Sequence, residues 1–281
     1  VHPSIYRRGG GIKDLDVKII EDNENTFLTC YIYIDVKDAM GANIINTILE
    51  GVSEYMESLV DGSLVMAILS NLSTKCLVKS SCKIAIDKLD KDYISGREVA
   101  EKITEANRYA QLDPYRAATH NKGIMNGIDS LIIASGNDPR AVEAGIHAYA
   151  AKDGRYKALT SWYIEEDQLI GEIELPLAIG IVGGAISVLP KAQANLELMR
   201  VESAKDLASI VASVGLAQNF AALNALVSDG IQKGHMKLHY SSLAIQVGAK
   251  GEEIDLLVSR LRNEKIKNSQ VAKKILLDIR K

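Results

Sequence analysis

Between Asp113 and Gly145 the chain reads DPYRAATHNKGIMNGIDSLIIASGNDPRAVEAG, a run in which Arg116, His120, Lys122, Asn126, Asp138 and Arg140 sit among apolar, helix-forming stretches. Cations, carboxylates and imidazoles are rarely buried without partners, so this density marks a site rather than a core. The types present meet negative charge and move protons. Elsewhere the common motifs fail. No GxGxxG opens a helix and no GxxxxGK[ST] occurs, so neither a Rossmann fingerprint nor a Walker A loop is available. His235 and His239 are spaced like zinc ligands, but Met236 stands where HExxH needs Glu and no third ligand is evident, so no metal is expected. Asp87, Asp90 and Asp92 lack the spacing of a calcium loop and read as a solvated turn.

The elements that must carry this site follow from periodicity. Thr26 to Val36 is rich in β-branched and aromatic residues and reads as a strand, with Asp16 to Glu21 as its hairpin partner. Ile44, Ile48, Val52, Tyr55, Met56 and Leu59 recur at helical spacing, and a further strand is expected over Ser63 to Leu69. Leu77 to Ile86 reads as one more strand, Ser95 starts a helix to about Gln111, and helices dominate from there. Ser203 and Asp206 resemble a capping box before a helix whose stripe Leu207, Ile210, Val211 and Val214 belongs to the interior. Glu252 to Arg262 and Asn268 to Lys281 read as two amphipathic helices.

Composition narrows the classes. A chain of 281 residues, 47% hydrophobic, can bury a large core. A formal net charge of −3 gives no footprint for nucleic acid or an anionic membrane, so partners should be small molecules or other chains. No apolar run reaches the ~18–20 residues of a bilayer span and no leader opens the chain. Cys30, Cys76 and Cys82 form no CxxC pair, so a reduced cytoplasm fits best. The chain begins at Val1 and reads as a segment entered midway, which leads us to expect sequence upstream.

Five strings occur in order: DAMGAN (Asp38 to Asn43), DPYRAATHNKGIMNGID (Asp113 to Asp129), GNDPRAVEAG (Gly136 to Gly145), VGLAQN (Val214 to Asn219) and GIQKGHMKLH (Gly230 to His239). Together they resemble class II 3-hydroxy-3-methylglutaryl-coenzyme A (HMG-CoA) reductase across essentially the whole chain. The resemblance implies an α+β fold: a small non-Rossmann dinucleotide-binding domain at 1–70, a helix-rich substrate domain at 71–229, and a C-terminal helical flap at 230–281. It implies reduction of HMG-CoA by NADH or NADPH, through mevaldehyde, to mevalonate and CoA, in a homodimer or trimer of dimers.

The roles carried over are specific. Lys122 matches the cation that stabilises the thioester oxyanion, and Asp138 its charge partner. His235 matches the proton donor to the departing CoA thiolate. Arg116, Asn126, Asn71 and Gln218 resemble substrate contacts, and Asp38, Met40, Gly41 and Asn43 the cofactor-binding turn. Taken without the family, Lys122 is a surface lysine, Asp138 a helix N-cap and His235 a helix-start residue. Two departures stand out. No ENVIG-like string with its catalytic glutamate is present, so little or no turnover is expected of this chain alone; robust turnover would show that another carboxylate, Glu143 or Glu174, substitutes. The stretch after IVGGA is Ile186 to Leu189 in place of a Thr-Lys-Thr-His-like segment. The competing reading is therefore a non-catalytic fragment or subunit of such a reductase.

Overall fold

The computed structural model describes residues 2–228, 240–262, 264 and 266–280. It is a mixed α and β protein whose described strands are all antiparallel. A short helix α1 (Pro3–Arg7) leads into the hairpin of β1 (Gly11–Glu21) and β2 (Thr26–Asp35). Its turn is an Asx turn: Asp22 Oδ1 accepts from the amides of Glu24 and Asn25 at 2.8 Å each, which fixes the pairing of Glu21 with Thr26. Helix α2 (Ala42–Glu57) follows, as its apolar period requires.

Ser63 to Leu69 is not a strand. Its ends are tied to α2 by side chains, Leu64 N donating to Glu57 Oε1 (2.8 Å) and Leu69 N to Asn46 Oδ1 (3.0 Å). No strand among the described residues pairs with it. Strand-like composition reports fit to a pleated, half-buried surface, and here Val65 (69%) and Met66 (70%) stay exposed.

β3 (Leu77–Ala85) joins a second sheet, ordered β3-β5-β4. Its other strands, β4 (Thr160–Glu165) and β5 (Gln168–Pro176), lie in the stretch where helices were expected to dominate. They turn through Glu166 at φ 53, a left-handed non-glycine turn that sequence composition does not announce. The helices are α3 (Gly96–Leu112), α4 (Pro114–Ala134), α5 (Pro139–Ala150), α6 (Pro190–Met199) and α7 (Ala204–Val227), of which α5 packs on β5 and α4 meets α5 and α6. Ser203 Oγ accepts from Asp206 N at 3.1 Å, so the expected cap forms at the head of α7.

α7 corrects two expectations. It is long and apolar enough, by length and composition, to cross a membrane, with a mean hydropathy of 1.6. Its stripe is only partly interior: Leu207 and Val211 are fully buried, whereas Ile210 and Val214 line an open groove of about 460 Å³.

The chain divides into two compact units, Val1–Ala85 with Asn107–Phe220 and Ile86–Ala106 with Ala221–Lys281. In the first, Ile124, Ile128 and Ile132 of α4, Ile146 of α5 and Leu169, Ile173 and Leu175 of β5 are buried. In the second, α8 (Glu252–Arg262) and α9 (Ser269–Ile279) bury Leu257, Leu261, Ile275 and Leu276 with Tyr240 and Leu243. Arg280 clamps Glu253 through two 2.8 Å hydrogen bonds, which hold the Glu253 carboxyl down at about 2.

Candidate active site

Asp113 caps α4, its Oδ2 accepting from Arg116 N at 2.8 Å, and Pro114 presets the first helical turn. From there the 3.6-residue period sorts the motif by face. His120, Asn121, Ile124, Met125 and Ile128 turn inward, while Lys122, Asn126 and Ser130, spaced i, i+4, i+8, turn out to solvent. The inward polar groups are spent on structure. Asn121 donates to Lys157 O (2.8 Å) and accepts from Leu159 N (3.0 Å). His120 Nε2 lies 2.7 Å from Thr160 Oγ1 and 3.1 Å from Asn219 Nδ2, and Trp162 Nε1 donates to Asn219 Oδ1 at 2.8 Å. Burial foremost, then the Arg116 charge, pushes His120 down to about 4, so it is neutral at physiological pH.

Of the outward groups, Ser130 Oγ donates to Asn126 O at 2.7 Å, while the Lys122 and Asn126 side chains stay unbound among the described residues. The side chains of Arg116, Lys122, Asn126 and Gln218 make no hydrogen bond or ion pair among the described residues. Gln218 stands on α7, which crosses the buried side of α4 at Gly127, where an added Cβ would lie 3.0 Å from Val214 Cγ1 and 3.2 Å from Gln218 Cβ.

A second constellation interlocks three motifs. Gly136 (φ 73) closes α4, and the next residue, Asn137, is buried. Asn137 grips Gly180 from both sides, donating to its oxygen (2.9 Å) and accepting from its nitrogen (2.8 Å). A Cβ on Gly180 would sit 2.2 Å from Met40 N, so glycine alone lets the Asp38 turn approach. Ile181 N donates to Asp38 O at 2.8 Å, and Asp38 Oδ1 accepts from Ala204 N at 2.9 Å, capping α7. Asp38, Met40 and Gly41 thus stand on one turn against the IVGGA segment, with Asn43 in the first turn of α2, beside an open cleft of about 320 Å³ lined by Val182, Gly183, Ser187 and Gln193. Gly41 enters α2 at φ 91 and no side chain caps the helix's first turn, so amides there fit a phosphate oxygen.

The chain does not bring Lys122 and Asp138 together. Asp138 is the N-cap of α5, accepting from Arg140 N (3.0 Å) and Ala141 N (3.3 Å), with Arg140 Nε 3.9 Å away. It follows the C-terminal end of α4, and at 1.5 Å per residue that end lies roughly 18 Å along the axis from Lys122. Asn71 lies over α5, its carbonyl oxygen against Gly145. His235 falls outside the described residues, as does His239.

Residues 1–240 match the family model described as hydroxymethylglutaryl-coenzyme A reductase. The chain belongs to that family. It is 45% identical over 280 residues to the HMG-CoA reductase of Archaeoglobus fulgidus, covering 99% of this chain and 63% of that protein. It is 37% identical over 285 residues to a probable HMG-CoA reductase of Borreliella burgdorferi, covering 99% of this chain and 65% of that protein. The chain thus spans a little under two thirds of the length of these relatives. Among solved structures it resembles the class II HMG-CoA reductase of Streptococcus pneumoniae bound to NADPH in open conformations. There the TM-score is 0.79 at 49% identity, with 100% of this chain and 68% of that one covered.

Within this chain, sequence reasoning passed over the residues that build the site from beneath. Asn137 and Asn219 lie inside the strings GND and LAQN, yet each was eclipsed by its neighbour, Asp138 or Gln218, because burial is invisible in a motif. The two substitute carboxylates also separate. Glu174 is engaged by Lys79 (2.8 Å) and by the Tyr149 hydroxyl, which hold it below the usual carboxylate range and unsuited to giving up a proton. Glu143 faces Asp129, whose carboxyl burial and the Glu143 charge push up to about 6.

Proposed function

We propose that the chain acts in the NAD(P)H-dependent reduction of HMG-CoA to mevalonate and CoA. The observations that carry this reading are the family match over residues 1–240 and the outward face of α4, where the Lys122 and Asn126 side chains make no hydrogen bond or ion pair among the described residues while His120 and Asn121 on the opposite face are bound. Water satisfies these exposed groups in the free chain, and a substrate with a carboxylate, a hydroxyl and a thioester supplies partners of matching chemistry.

In this reading the Lys122 ammonium meets the negative charge that grows on the thioester oxygen, which is where electrostatic stabilisation contributes most. Arg116 takes the substrate carboxylate, Asn126 and Gln218 its polar atoms, and Asn71 borders the same pocket. Asp38, Met40, Gly41 and Asn43 hold the dinucleotide, with the first amides of α2 on a phosphate. The bound cofactor supplies the hydride. His235 protonates the CoA thiolate, which would otherwise add back to mevaldehyde. We assign 1–70 to the cofactor side, 71–229 to the substrate side and 230–281 to a flap bearing His235.

Because Lys122 and Asp138 stay apart in one chain, we assign their pairing to a homodimer, each Lys122 meeting Asp138 of the partner subunit, alone or as a trimer of dimers. The exposed Ile19 (66%), Val65 and Met66 supply apolar surface that such an assembly would cover. A cytoplasmic location fits this chemistry. The test is oxidation of NADPH or NADH on addition of HMG-CoA, with two equivalents consumed per mevalonate formed. Tight binding of neither HMG-CoA nor dinucleotide would overturn the reading and favour the non-catalytic subunit.

A further inference from the structure

Beneath the outward face of α4, three elements meet at one buried imidazole. His120 is 2% exposed, and every hydrogen-bond partner it has comes from outside its own helix: Thr160 on β4 and Asn219 on α7. The direction of these bonds can be read from chemistry. An indole N–H only donates, so Trp162 fixes the Asn219 oxygen toward itself at 2.8 Å and turns the Asn219 nitrogen toward His120. That amide nitrogen also only donates, so a lone pair on His120 Nε2 faces it, and the Thr160 hydroxyl, which also lies 3.0 Å from Asn219 Oδ1, then donates to the same lone pair at 2.7 Å. The ring proton is therefore on Nδ1, which has no hydrogen-bond partner among the described residues. Asn107 completes the group, its amide oriented to donate to Thr160 O (3.0 Å) and accept from Trp162 N (3.2 Å).

We propose that His120 is a positioning residue for the α4 site: as the neutral Nδ1–H tautomer, it ends a one-way hydrogen-bond chain from Trp162 through Asn219. That chain sets the rotation of α4 about its axis and so the direction of Lys122 and Asn126. The same bond aligns α7, whose Asn219 is next to Gln218, so both walls of the pocket take their register from one lone pair. Asn121, bound to Lys157 O and Leu159 N, fixes the adjacent position. Protonation of Nε2 would set a cation's N–H against the Asn219 N–H and break the chain. Burial opposes it, as does the Arg116 charge one turn away on α4. Thr160 and Trp162 of β4, Asn219 of α7 and Asn107 of α3 bring no titratable group to the ring. The positioning role rests on the functional reading above; the tautomer does not.

The experiment has two arms, both on the full chain. Nitrogen NMR of the histidine rings, feasible with only 5 histidines, should show His120 protonated at Nδ1 and unprotonated at Nε2, unchanged from pH 8 to pH 5.5. Trp162→Phe, which frees the Asn219 amide to rotate, should alter that signature. An Nε2–H tautomer, or titration near the ordinary histidine value of ~6.5, would overturn the proposal. In the second arm, the dissociation constant for HMG-CoA should rise ~10-fold or more in His120→Phe, since small misplacements of binding groups are costly, while that for NADPH stays within ~2-fold. His120→Gln, which keeps an acceptor at the same reach, should restore it. Weakening of both ligands alike, or of neither, would make His120 merely structural. No HMG-CoA binding by the unaltered chain would sink the functional reading while the NMR arm still decides the tautomer.

Discussion

The two faces of α4 are built from the same kinds of side chain and treated oppositely. Inward, His120 and Asn121 bind Thr160, Asn219, Lys157 and Leu159. Outward, the Lys122 and Asn126 side chains make no hydrogen bond or ion pair among the described residues. The difference teaches that the motif HNKGIMN encodes two jobs at alternate phases of one helix, so that replacing neighbours should separate activity from stability.

The largest expected effect is on the outward face. Lys122→Met should lower kcat for HMG-CoA reduction by ~10²–10³ or more, the usual cost of losing an oxyanion donor. Stability should move by less than about 0.5 kcal/mol because the side chain is exposed and unpartnered. A loss of several kcal/mol in chemical denaturation would blur the contrast between the faces. Inward, Asn121→Leu should do the reverse. It strands Lys157 O and Leu159 N, each left unsatisfied at about 1–3 kcal/mol, so a fall of roughly 2–4 kcal/mol is expected in urea titration.

His120 gives the contrast a pH signature. Its folded value of about 4 lies below the unfolded ~6.5, so between those values the unfolded chain binds more protons. The stability tied to the neutral ring is fully present above pH 6.5 and is lost as pH falls toward 4, by roughly 3 kcal/mol in total. His120→Gln should flatten that part of the stability curve, and a curve as steep as the parent's would count against the buried neutral ring.

The smallest effect concerns Asp129. Its folded value of about 6 is raised above the unfolded 3.8, so its contribution to stability is present at low pH and lost as pH rises through 6. Asp129→Asn should therefore raise Tm more at pH 8 than at pH 5. An equal change at both would mean that neither burial nor the Glu143 charge raises the Asp129 carboxyl.

How much of this was written in the sequence depends on whether a property is local. The β1–β2 hairpin, α2, α3 and the cap of α7 are local in pattern and were legible. The β4–β5 hairpin was not, because its turn rests on a left-handed Glu166 and its strands acquire a buried face only when α4 and α7 arrive. Ser63 to Leu69 has strand composition and no strand to pair with. At the site, the strings named Lys122, Asn126 and Asp138 but not their separation, since Asp138 follows the far end of α4. The clamp of Asn137 on Gly180 joins residues remote in the chain and could be found only in three dimensions.

The central claim, that Lys122 is completed by Asp138 of the partner subunit, has a direct test by mixing variants. Asp138→Asn keeps a good N-cap for α5 while removing the charge, and Lys122→Met removes the ammonium. Each variant alone should be nearly inactive. After co-refolding in equal amounts, activity should return to about a quarter of the parent's, as half of the dimers then hold one intact site. Mixtures as inactive as the separate variants, with mixed dimers demonstrably formed, would contradict the account.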